Sequence, residues 1–123
     1  MNDIGEVIIG SAMRVHSALG PGLLEGAYEA CLAYELEKQS LAVQRQLAVS
    51  IRYEEVSLDA GYRLDMLVAG NIVLELKAVE KMLPIHGTQL LSYLRLGEFK
   101  LGYLLNFNVA HMRDGIKRVV NGL

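Results

Sequence analysis

Asp65, Glu75 and Lys77 are charged residues set inside two otherwise apolar runs of the stretch GYRLDMLVAGNIVLELK, Gly61 to Lys77. Leu64, Met66, Val68, Ile72, Leu74, Leu76 and Ala78 alternate with Arg63, Asp65, Leu67, Val73, Glu75 and Lys77. That period of two is the pattern of strands with two distinct faces. Ala69-Gly70-Asn71 is the natural turn between them, with residue types that accept a left-handed backbone. A three-residue loop pairs Leu64 with Leu76 and Met66 with Leu74, and sets Asp65 opposite Glu75. All the apolar residues then share one face. A two-residue loop would set Asp65 across from Leu76 and mix the faces, which a half-buried sheet does not tolerate.

Two carboxylates about 5 Å apart at opposed strand positions repel unless a cation lies between them. Oxygen ligands without paired Cys or His suit Mg2+ or Mn2+, ions that keep several waters and complete their shell with substrate phosphate. Asp65 and Glu75 are the expected metal ligands. Lys77, two residues beyond Glu75 and on the same face, would hold a water or offset the charge of a pentavalent phosphorane. Arg63 shares the predicted face of Asp65 and would clamp a phosphate bidentately or neutralise the acids. The bland alternative is a solvated strand face with ordinary ion pairs, because short motifs of this kind arise often by chance.

The elements that must position these groups are legible in outline. Asp3 and Glu6 resemble a capping box ahead of Ile8, Ala12, Val15 and Leu19, which places a helix over about residues 3 to 19. Gly20-Pro21-Gly22 breaks it, and a second helix follows to about Gln39. Glu25 and Tyr28 lie three apart at its start and project from one side. Residues 45 to 56 open with the alternation of a first strand, ahead of the hairpin. Pro84 suits the first turn of a third helix, with Leu90, Leu91 and Leu94 toward the sheet and Gly97 closing it. His86, Gln89 and Tyr93 form its polar stripe. Residues 100 to 107 read as a further strand; GIKRVVN is extended or a short terminal element. The order gives an α/β sandwich around a mixed sheet, with an N-terminal helical pair. The crossover through the third helix should be parallel and right-handed.

Asp65, a short gap, then Glu75-Leu76-Lys77 resembles the D-x(n)-E-x-K core of the PD-(D/E)XK nuclease superfamily. Gly22-Leu-Leu-Glu25-Gly-Ala-Tyr28 resembles the motif that names the GxxExxY protein family, placed in that superfamily, and the likeness runs over nearly the whole chain. Gln89-x-x-x-Tyr93 is similar to a Q-x-x-x-Y motif seen beside the active site in one nuclease branch. The resemblance implies a restriction-endonuclease-like core in which Glu25 completes the metal shell or orients a water. It further implies catalytic roles for Asp65, Glu75, Lys77, Glu25 and Gln89, and substrate contacts from Tyr93 and Tyr28; Arg63 joins these by its place on the strand face, and His86 by its chemistry, either as a proton shuttle or phosphate contact or as a cap or packing group just after Pro84. The implied partner is nucleic acid. One departure stands out: Gly87 follows His86, where an acidic residue is expected in many relatives.

Composition bounds these readings. The chain has 123 residues, enough for one domain with a single core. A hydrophobic fraction of 52% and a mean hydropathy of +0.26 are high for so short a monomer, so a homo-oligomer is among the expected states. Net charge is −2, so there is no global basic field, and nucleic-acid binding must be local and metal-assisted. The acidic amino terminus and the lack of a long apolar run point to a cytoplasmic protein without membrane association. The lone Cys31 reads as a small buried hydrophobe. Two alternatives stand beside an Mg2+-dependent nuclease. One is a catalytically inactive module binding nucleic acid or protein through the same cleft; the other is a small oligomeric sensor domain with a structural ion.

Overall fold

The computed structural model describes residues 2–122. Helix α1 spans Asn2–Leu19 and α2 spans Glu25–Lys38, separated by Gly20 and Gly22 in left-handed conformations, with φ of 70° and 99°. Strands β1 (Val43–Tyr53), β2 (Val56–Val68) and β3 (Ile72–Lys77) follow. Helix α3 (Pro84–Gly97) then leads to β4 (Leu101–Asn106), a 3-10 turn (Met112–Gly115) and β5 (Ile116–Val120). The five strands form one mixed sheet in sequence order, with β3 and β4 parallel and every other neighbouring pair antiparallel.

Two helices cover one face of this sheet and one covers the other. Ile8, Ala12 and Val15 of α1 and Tyr28, Leu32 and Leu36 of α2 pack on Met66, Val68, Ile72, Leu74, Leu76, Tyr103 and Leu105. On the opposite face Leu90 and Leu94 of α3 pack on Leu64, Leu67, Val73 and Leu104. Strands β3 and β4 are therefore buried on both sides, as parallel strands between helix layers must be. The core expected from the sequence as one is in fact two, divided by the sheet. Cys31, expected to be buried, is exposed.

The hairpin between β2 and β3 has the three-residue loop, pairing Met66 with Leu74, Leu67 with Val73 and Val68 with Ile72. Leu64 departs from the expected single apolar face. It packs with Val73, Leu90 and Leu94 on the α3 side, whereas Met66, two residues on, packs on the α1–α2 side. Strand β1 switches at the same level: Val43 packs toward the first core and Leu47 toward the second. Between them Gln46 takes φ 51°, a left-handed conformation uncommon for a side chain of its kind. Arg45 still pairs with Met66 and Leu47 with Leu64, so the register is kept while the ribbon turns over at Gln46 and Asp65. Alternation alone does not reveal such a switch.

The sequence expectation also stopped β1 near residue 56 and began β2 at Gly61. The strands instead continue into a long ribbon turning at Glu54 and Glu55, with Tyr53 paired to Val56. Glu54 has φ 52°, a position Gly or Asn ordinarily fills.

Candidate active site

Asp65 lies where β2 turns over, just beyond the last backbone pairing with β3. There the two carboxylates take over from the ladder. The Leu76 amide donates to Asp65 Oδ2 at 2.8 Å, and the Asp65 amide donates to Glu75 Oε1 at 3.3 Å. Each acid is thus held by the other strand's backbone, which fixes both oxygens across the hairpin. Glu75 is only 6% exposed. Burial first, and then the neighbouring Asp65 charge, push its carboxyl up from 4.5 to about 8, with Lys77 acting in the opposite direction. A carboxylate so placed is short of positive charge.

Glu25, the first residue of α2, reaches the same field from the other helix layer. Its carboxyl is raised by partial burial and then by Asp65, lowered by Lys77 and raised again by Glu29. It is nevertheless exposed, and among the described residues no three of His, Cys, Asp and Glu converge as ready ligands for one ion. Glu25 thus stands beside the Asp65–Glu75 pair, on the side from which the sequence reading has it complete the metal shell or orient a water. Asp65 and Glu75, two carboxylates fixed across the hairpin, are a donor set that fits a hard divalent ion. Mg2+ needs only one or two protein carboxylates when water and substrate phosphate supply the rest.

The structure treats the other expected site residues unequally. Tyr93 is half-buried, stacks on Tyr62 with ring centroids 4.5 Å apart, and has its phenol raised by burial and then by Glu75 and Asp65. Gln89, one turn earlier on the same stripe, is exposed while Leu90 is buried. Arg63 is exposed and donates to the Gln46 carbonyl at 3.3 Å. His86 accepts the Leu83 amide on Nδ1 at 3.1 Å and so caps α3, with the His86 amide returning a bond to the Leu83 carbonyl.

Tyr28 is a correction. Expected to touch substrate, it is fully buried, stacks on Phe107 at 4.6 Å, donates to the Gly20 carbonyl at 2.6 Å and accepts the Leu23 amide at 3.1 Å. It ties down the loop that delivers Glu25 to the site.

Sequence reasoning missed two groups. Glu29 is buried one turn after Glu25 and binds Arg45 Nε and Nη2 at 3.0 Å and Gln46 Nε2 at 2.7 Å. It fastens α2 to β1 at the level where the ribbon turns over. The signal was the i, i+4 spacing from Glu25, masked by the ordinary place of Glu in helices. Asn106, buried opposite Lys77, holds the Val79 amide and carbonyl and the Asn108 amide through its side chain. It shapes the chain just after Lys77, and a lone Asn at a strand end gave no warning.

The arrangement of an aspartate, a Glu-x-Lys strand and a helix glutamate on a mixed α/β sheet has a counterpart among known families. A family model described as PD-(D/E)XK nuclease superfamily matches residues 2–119. The chain belongs to the PD-(D/E)XK nuclease superfamily. No curated protein and no solved structure matches it. The mixed sheet with its N-terminal helical pair is the restriction-endonuclease-like α/β fold that the PD-(D/E)XK family implies.

Proposed function

We propose that the protein is a divalent-metal-dependent nuclease hydrolysing phosphodiester bonds of nucleic acid. The observation that carries this reading is the interlocked Asp65–Glu75 pair, whose oxygens are fixed by opposing strand amides and whose Glu75 carboxyl is pushed up by burial and by Asp65. Asp65, Glu75 and the Leu76 carbonyl would hold Mg2+ or Mn2+. The ion supplies charge neutralisation and lowers the pKa of water. Lys77 places a positive charge beside the pair, where it orients the attacking water or offsets charge on the phosphorane. Glu25, whose carboxylate is lifted by burial, accepts a proton from that water. Water oxygen bonds to phosphorus, one P–O ester bond breaks, the leaving alkoxide takes a proton from solvent water, and Glu25 returns its proton to solvent. Tyr93 and Gln89 on α3 and Arg63 on β2 border the site as substrate contacts, with His86 holding the start of α3.

A second reading, an inactive nuclease-fold binding module, draws on the exposed Glu25 and the lack of a ready three-ligand cluster among the described residues. Hydrolysis of labelled single- and double-stranded DNA and RNA in Mg2+ or Mn2+ separates the two. The nuclease reading expects cleavage by the wild type and a fall of at least roughly 100-fold in Lys77→Met, the scale set by losing one preorganised charge. Binding without cleavage under every metal leaves the module reading in its place.

A further inference from the structure

Glu75, Leu104 and Lys117 stand in one row across three strands, since Glu75 pairs with Leu104 in β4 and Leu104 with Lys117 in β5. Leu104 packs in the core under α3, as do Val73 and Val119, so this row lies on the face that carries Glu75. At about 4.8 Å between strands, the backbones of Glu75 and Lys117 are roughly 10 Å apart.

The Lys117 side chain runs back over α3. A Cβ at Gly87 would sit 2.8 Å from Lys117 Nζ and 3.5 Å from its Cε, so a bare glycine leaves the room the ammonium occupies. Lys117 also lines two adjoining hollows. One of about 450 Å3 is shared with Pro84, Gly87 and Thr88, and one of about 220 Å3 with Met82, Asn106 and Asp114. Among the described residues, no carboxylate oxygen lies within 4.0 Å of the ammonium. An ammonium with no carboxylate partner among the described residues, given space by a glycine and standing two strands from Glu75 in one row of the sheet, is placed to receive an anion beside the acidic site.

We infer that Lys117 binds a backbone phosphate of the nucleic-acid substrate, neighbouring the scissile one, and that Gly87 keeps its ammonium free to do so. This rests on the nuclease reading and extends it. The sequence departure at position 87 then has a physical meaning, because a carboxylate there would pair with Lys117 and cancel the contact.

The test uses the full chain carrying Lys77→Met, so that substrate survives, and measures binding of a fluorescent oligonucleotide by anisotropy in Mg2+ across a salt series. Adding Lys117→Gln weakens binding roughly three- to tenfold and lowers the slope of log affinity against log salt by about 0.7 to 0.9, the signature of one lost phosphate contact. Gly87→Asp gives the same change. Lys117→Gln is an exposed substitution and keeps the test valid if Gly87→Asp does not fold. Unchanged affinity and slope in Lys117→Gln, with the parent binding, overturns the assignment of Lys117 and leaves the nuclease reading standing. A parent that binds no oligonucleotide, together with a wild type that cleaves none, overturns both.

Discussion

Glu75 carries the strongest electrostatic statement in the molecule. In the unfolded chain its carboxyl titrates near 4.5, and in the folded protein near 8 because it is buried and faces Asp65. Between those values the folded state holds a proton that the unfolded state has released. The contribution of Glu75 to the stability of the metal-free protein is therefore fully present at and below the unfolded value and is lost as pH rises from there through about 8. Unfolding in EDTA from about pH 5 to about pH 9 should show this decline, and Glu75→Gln should flatten it, since an amide has no proton to lose. A decline unchanged in Glu75→Gln would place its origin elsewhere. The charged residues of this site were legible before the structure because a period of two, a Gly-Asn turn and misplaced charges agree with one another. Leu64 was not. Its move to the α3 core depends on the left-handed Gln46 of another strand, and no local pattern in β2 records that.

At the scale of elements, the start of α2 is held by a side chain. Tyr28 closes two hydrogen bonds to the Gly20–Leu23 loop from inside the core, so Glu25 is presented on a fixed approach. Tyr28→Phe keeps the stack on Phe107 but leaves both loop groups without that partner, and should cost about 1 kcal/mol in denaturant unfolding. Activity should fall further than stability alone would require, because Glu25 rides on the loosened loop; equal kcat in the two proteins would sever that link. The Gly22–Tyr28 spacing was visible in the sequence, yet spacing places Tyr28 and Glu25 on one side of a helix without saying which is buried. The long β1–β2 ribbon was missed for a related reason. Its turn uses Glu54 and Glu55, so the usual punctuation of Gly, Asn or Pro is absent and the two strands read as one shorter strand and a loop. The position of α3 was legible because Pro84 and Gly97 mark both its ends.

For the whole molecule, the consequence of a net charge of −2 is that binding to nucleic acid depends on local cations and on metal. A divalent ion that binds only the folded state stabilises it by mass action, about 1.4 kcal/mol at ten times its dissociation constant, and raises the melting temperature by a few degrees. Asp65→Asn should remove most of that rise. It should leave the metal-free protein at least as stable, since the amide oxygen still accepts the Leu76 amide while a repulsive charge is gone. A full metal-induced rise in Asp65→Asn would show that the ion binds away from the pair.

The sheet that unites the site also divides it in time. Glu75 and Lys77 lie on the central strand β3, laddered to β4 opposite Leu104 and Asn106 and set between the helix layers, so the middle of the sheet holds them. Asp65 lies on β2 at the root of a ribbon whose far end, with Tyr53, Val56 and Leu58 exposed, is supported by neither core. The two members of the acidic pair thus run on different clocks. Fraying that starts at the ribbon tip and reaches Gln46 uncouples Asp65 while Glu75 is still held, and an ion bridging the two would act as a latch on that arm.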